Sequence, residues 1–185
     1  MADTSARDFS HDFGVIAGLV GLDVATRIIA HAPNLTAVAA SALFAAVALR
    51  RRWLAPLVPL AAMAISDVAL GFYALPVTLA VYAGMVLPAL LGLTLKRPGF
   101  LLLPVSLAGS LGFFAISNWA VWAAGGMYTP GWSGLVKCYV AALPFLQNTL
   151  TGDLGWGAAL FGGYFLARGA ADLMRPSVAA LPRLA

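Results

Sequence analysis

The chain contains no glutamate and a single cysteine, Cys138, and its only histidines are His11 and His31. One cysteine excludes an internal disulfide and any cysteine-rich metal cluster. Charged side chains make up 10% of the 185 residues, where a soluble domain typically carries about 25%. With 62% hydrophobic residues and a mean hydropathy of +0.91, there is too little polar surface to coat a water-soluble body of this size. These shortages exclude a soluble enzyme, a disordered tail and a disulfide-stapled secreted module. HExxH, a Walker A loop, GxSxG and a Cys/His metal box are also absent. No catalytic residue and no cofactor is therefore expected. The net charge of +4 reads as membrane topology, not as a nucleic-acid footprint.

What the chain has instead is long apolar runs. A membrane-crossing helix needs roughly 17–25 mostly apolar residues. Six candidate spans meet or approach this: Phe13–Ala30, Leu35–Leu49, Trp53–Tyr73, Pro76–Leu95, Gly99–Ala124 and Thr151–Gly169. The sequence thus predicts an all-α polytopic membrane helix bundle with six transmembrane helices. Residues 1–12 carry three aspartates, one arginine and no apolar core, so they read as a cytoplasmic segment and not a cleavable signal. Residues 13–169 form the transmembrane domain and 170–185 a cytoplasmic tail. Between the fifth and sixth spans lies Gly125–Leu150, expected to be an outer re-entrant or interfacial segment stopped near Pro144.

Orientation follows from the basic residues. Arg7, Arg50, Arg51, Arg52, Lys96, Arg97, Arg168, Arg175 and Arg183 all fall on one side if both termini are cytoplasmic. Only Arg27 and Lys137 do not. The expected location is a bacterial inner membrane. The opposite, outer face collects Trp119, Trp122, Trp132, Trp156, Tyr73, Tyr128 and Tyr139. Aromatic belts normally mark both interfaces, so a one-sided set points to a binding surface or a thick outer belt.

Ionisable groups inside apolar spans are costly and usually face the bundle interior. Asp23 and Arg27 share a helix face, four residues apart. Asp67, Asn118, Asn148 and Asp153 also fall on the outer half, with His31 and Asn34 in the outer turn HAPN. Each has a plain structural reading. Asp23–Arg27 or Arg27–Asp67 would be an internal ion pair. Thr149, Thr151 and Asp153 would cap the sixth span. Cys138 would be a small buried hydrophobe, with metal ligation by Cys138 or His31 left open. Arg27 close by argues against a shared-proton dyad of Asp23 and Asp67. Together the groups describe a polar, aromatic-lined outer recess for a small ligand, roofed by a segment with Gly125, Gly126, Gly131 and Gly134 as flexible backbone. Its expected lining is Arg27, His31, Asn34, Asp67, Tyr73, Asn118, Trp119, Trp122, Tyr128, Cys138, Asn148 and Asp153. Gly14, Ala17, Gly18 and Gly21 give small-xxx-small spacings that allow close helix approach, either to a partner or within the bundle.

The stretches HAPNLTAVAASALFAA, PLAAMAISDVALGFY and SNWAVWAAGGMYTPGWSGLVKCYVAALPFLQNTLTGDLGWGAALFG resemble an uncharacterised family of small bacterial integral membrane proteins. The size, six spans, polar outer face and small-residue first helix are similar to S components of energy-coupling-factor (ECF) vitamin transporters, an architectural analogy. That resemblance implies capture of a vitamin-like molecule from outside, with cobalamin as the first guess. It also implies docking of the first-helix small residues on an ATP-driven module. The competing reading is a structural or assembly subunit of a larger membrane complex, with no ligand of its own.

Overall fold

The computed structural model describes residues 2–29, 32–96, 99–124 and 126–173. Among these residues there is no strand. The chain forms α1 (Ala2–Ile28), α2 (Val38–Ala48), α3 (Leu57–Leu70), α4 (Leu75–Thr94), α5 (Leu102–Ala124) and α6 (Trp132–Leu173), with a 3-10 turn at Arg52–Leu54 leading into α3. The expected all-helical class is met. Three segments, Arg52–Leu70, Leu75–Thr94 and Leu102–Ala124, are long and apolar enough to cross a membrane.

α2 is the centre of the bundle. It has 11 residues, so it is about 16 Å long. Alanine fills it, and Ala42, Ala45 and Ala46 have no accessible surface. Small side chains let the neighbours close in. A Cβ on Gly92 of α4 would lie 2.7 Å from the Ala46 Cβ, so that crossing requires glycine. α4 and α5 meet in the same way, with Gly84 against Phe113 and Gly109 against Pro88.

Polar contacts fix the directions. The Ala37 N–H donates to Thr26 Oγ1 at 3.2 Å near the end of α1. Fourteen residues earlier in α1, Asp12 accepts the N–H groups of Arg50 and Arg51 at 2.9 and 3.0 Å. α1 and α2 are therefore antiparallel. Asp12 lies before the first expected span. Burial disfavours its charged form, but the Arg51 and Arg50 N–H groups and His11 outweigh this and hold its carboxyl below the ordinary value. Arg52 donates to Ala46 O at 2.5 Å, Gly92 O at 2.8 Å and Leu95 O at 2.9 Å. It thereby satisfies carbonyls at the C-terminal ends of α2 and α4, where a cation also suits the helix dipole. Leu95 in turn packs with Leu43 and Phe161, flanked by Leu102. The start of α5 and the later part of α6 thus share the end that carries Arg50–Arg52.

Two expectations are corrected. Within the expected Gly125–Leu150 segment, residues 132–150 are the first part of a longer helix, and Pro144 does not stop it. α6 runs continuously for 42 residues with Pro144 inside it. Pro144 is exposed, and the helix is anchored on both sides of it. Tyr139 donates to Ala115 O at 2.6 Å, and Asn148 donates to Pro33 O at 3.0 Å. Residues 174–185, most of the expected tail, lie outside the described residues.

Candidate functional site

The polar side chains that the apolar runs carry gather around α2. Arg27, in the last turn of α1, reaches across to α3. Its Nε donates to Ser66 Oγ at 2.6 Å, one terminal nitrogen contacts Met63 Sδ, and the other forms an ion pair with Asp67. The second Asp67 oxygen accepts the Tyr82 hydroxyl of α4 at 3.0 Å. One arginine thus joins α1 to α3 and, through Asp67, to α4. Of the two aspartates open to it in sequence, Arg27 takes Asp67. The Asp23–Arg27 ion pair does not form, because Asp23 sits beside Ser41 of α2 while the guanidinium extends to α3.

Asp153 does not cap a helix. It accepts the Ser110 hydroxyl of α5 at 2.6 Å. Thr149 and Thr151 donate back to Phe145 O and Gln147 O, both at 2.9 Å. The expected cap fails because α6 starts at Trp132, so residues 149–153 are interior to the helix and its orphan N–H groups lie elsewhere. Beside Asp153 a cleft of about 350 Å³ opens between α5 and α6, with α2 as its floor. Ala40, Leu43, Leu103, Ser106, Asp153 and Phe161 contribute to its wall.

The remaining expected lining residues are spread along the other end. Asn34 has φ +65°, which asparagine tolerates, and it shapes the α1–α2 turn. Asn148 ties α6 to that same turn through Pro33. Asn118 donates to Phe114 O at 2.8 Å within α5, and the buried Cys138 thiol points at Asn118 O, 3.4 Å away. Trp122 Nε1 donates to Thr129 O at 3.3 Å, and Tyr128 is half-buried nearby. The rings of Tyr73 and Trp119 face outward, 71% and 58% exposed. Asn118, Trp122, Cys138 and Asn148 thus bond to backbone carbonyls, whereas the cleft lies toward the Arg52 end. Glycine in the expected roof serves a fixed turn: Gly131 has φ +97°, and a Cβ on Gly134 would sit 1.8 Å from Thr129 O. His31 and Gly125 lie outside the described residues.

A family model described as a family of unknown function (DUF6580) matches residues 7–177. The chain belongs to the DUF6580 family. No curated protein and no solved structure matches it. The match runs from Arg7 in α1 through the end of α6, so this DUF6580 bundle is covered almost whole.

In this DUF6580 chain the first-helix small residues are open. Gly14, Ala17, Gly18 and Gly21 are exposed, and a Cβ on any of the three glycines would meet nothing within 4 Å. Packing among the described residues does not use this face. Sequence reasoning missed Tyr82, Ser66 and Ser110, which complete the Asp67 and Asp153 contacts. A serine in an alanine- and leucine-rich run gives no local sign of what it faces.

Proposed function

We propose that this DUF6580 protein is a six-span inner-membrane protein that binds a small, largely apolar molecule in the cleft between α5 and α6, as a substrate-binding transport subunit does. The observation that carries the reading is the cleft itself. A volume of about 350 Å³ falls within the usual range for small-molecule sites, about 300–1,000 Å³. Its wall is apolar apart from Asp153 and Ser106, which offer a few polar contacts for orientation. The S-component analogy supports a vitamin-like ligand. A corrinoid would need the cleft to widen, so a smaller ring compound fits better than cobalamin.

Six crossings are supported by the alternating helix directions and by the gathering of Arg50, Arg51, Arg52 and Lys96 at one end, the cytoplasmic side in this reading. α2 is too short to span alone and would cross only inside the sheath of the other helices. At 42 residues, α6 is about 63 Å long. Its stretch from Cys138 to Phe161 runs beside α5, so the length outside that stretch would stand beyond the hydrocarbon.

Native mass spectrometry of the gently solubilised chain tests the reading. A co-purified small molecule is expected, and Gly157→Leu should abolish its retention. A Cβ on Gly157 has open space around it, so that leucine enters the cleft without disturbing the helix. Equal retention in Gly157→Leu would place the ligand elsewhere, and a wild-type chain without any bound mass would sink the proposal.

A second reading, an assembly subunit, is favoured by the open α1 face. It expects the same spectra to show a fixed-ratio complex that Gly18→Leu breaks. An ATP-driven module is the partner the S-component analogy supplies for that face.

A further inference from the structure

Asp23 lies one turn before Arg27, toward the C-terminal end of α1, and Ser41 near the start of α2, and neither side chain has accessible surface. Neither Asp23 carboxylate oxygen nor the Ser41 hydroxyl oxygen, all three buried, has a partner at hydrogen-bond distance among the described residues, although Ser41 lies close enough to Asp23 to act on its carboxyl. Other buried aspartates are provided for: Asp12 by two N–H groups, Asp67 by Arg27 and Tyr82, Asp153 by Ser110. Arg27 is the near cation on the same helix, but its nitrogens are engaged by Ser66, Met63 and Asp67. α2 brings no charged side chain, α3 brings only Asp67, and Asp153 of α6 lies by the Ala40 side of α2. A carboxyl group held among apolar side chains is costly unless something neutralises it.

We propose that Asp23 and Ser41 form a binding site for one monovalent cation, a proton or a sodium ion, inside the bundle. The two oxygens of the carboxylate and the serine hydroxyl are hard ligands that serve either ion. Buried carboxylates of this kind carry protons or sodium ions in membrane transport. Ser41 and Ala40 are adjacent on α2, and Ala40 lines the cleft. A cation at Asp23 therefore sits against the same short helix that floors the cleft. The inference stands on Asp23 and Ser41 and holds whatever the cleft contains.

The test is the melting temperature of the full-length chain in detergent, with sodium chloride exchanged for choline chloride at constant ionic strength across mildly acid to mildly alkaline pH. A sodium site gives a saturable rise with sodium in the wild type that Asp23→Asn abolishes and Ser41→Ala moves to several-fold higher concentration. A proton site gives no sodium effect, but a wild type that gains on Asp23→Asn as pH falls. Taking that difference cancels the Asp12 contribution, which has the opposite sign. A wild type that responds to neither ion differently from Asp23→Asn overturns the proposal and leaves an internal water as the partner. Should Asp23→Asn fail to fold, the wild type alone decides. Labelling of Asp23 by a hydrophobic carbodiimide, read by peptide mass, must fall with added sodium or with rising pH, and labelling indifferent to both overturns the site.

Discussion

Asp12 and Arg27 show how single charges hold helices together in a chain that has few of them. Asp12 accepts two backbone N–H groups from the turn after α2, and its carboxyl is held below the ordinary value. A depressed carboxyl contributes stability that is fully present above the unfolded value of 3.8 and is lost as pH falls through its own, lower value. Acid melting of the wild type should therefore steepen below that point, and Asp12→Ala should lose that portion of the pH dependence. Because Asp12 lies near the end of the bundle, the expected cost at neutral pH is modest, about 1–2 kcal/mol. For Arg27, removing it alone strands Asp67 among apolar groups, at a cost of about 3–5 kcal/mol. A paired Arg27→Leu/Asp67→Leu chain should be more stable than Arg27→Leu. Strictly additive losses in the double-mutant cycle would remove the ion pair from the account. The pairing was readable because a cation and an anion in neighbouring apolar runs have few other choices. Ser66 and Tyr82 were not readable, since which hydroxyl meets which carboxyl depends on helix rotation.

At the scale of elements, close approach is set by glycine and alanine. Gly92→Ala would place a methyl 2.7 Å from the Ala46 Cβ, which is fixed to helical backbone and has no rotamer to retreat into. It should destabilise by about 1–3 kcal/mol. Gly18→Ala meets open space and should stabilise by up to about 1 kcal/mol through helix propensity. Melting temperatures of the two variants moving the same way would contradict the packing described here. The continuity of α6 was the element least legible in sequence. Proline is a local stop signal, and it was overruled by anchors more than a hundred residues apart in the chain, Asn148 to Pro33.

For the whole molecule, composition alone was enough to give an all-helical, lipid-compatible bundle. The placement of the cleft was not legible, because it depends on where α6 parts from α5. Cys138 meets Asn118 and Asp153 meets Ser110, so 15 residues of α6 pass alongside eight of α5. The two helices cannot be parallel there, and the gap between them opens beyond Asp153. The proposed topology is checked by cysteine accessibility in a Cys138→Ser background. Arg51→Cys should react only with reagent from the cytoplasmic side and Thr129→Cys only from the outer side. Labelling of Thr129→Cys from the cytoplasm alone would invert the reading.

Arg52 has two lives during biosynthesis. Its acceptors Gly92 and Leu95 are 40 and 43 residues downstream, so they are not yet in place beside it when α3 first leaves the ribosome. At that stage only the upstream Ala46 carbonyl is within its reach, and in the proposed topology its charge is available beside Arg50 and Arg51 to orient the nascent hairpin. Only after α4 returns can the guanidinium reach the carbonyls of both helix ends. Orientation and consolidation are thus consecutive uses of one side chain, and they separate by chemistry. An Arg52→Lys chain keeps the charge and should insert with native orientation in a protease-protection assay. Its single ammonium cannot span the three carbonyls as a planar fork does, so it should melt lower.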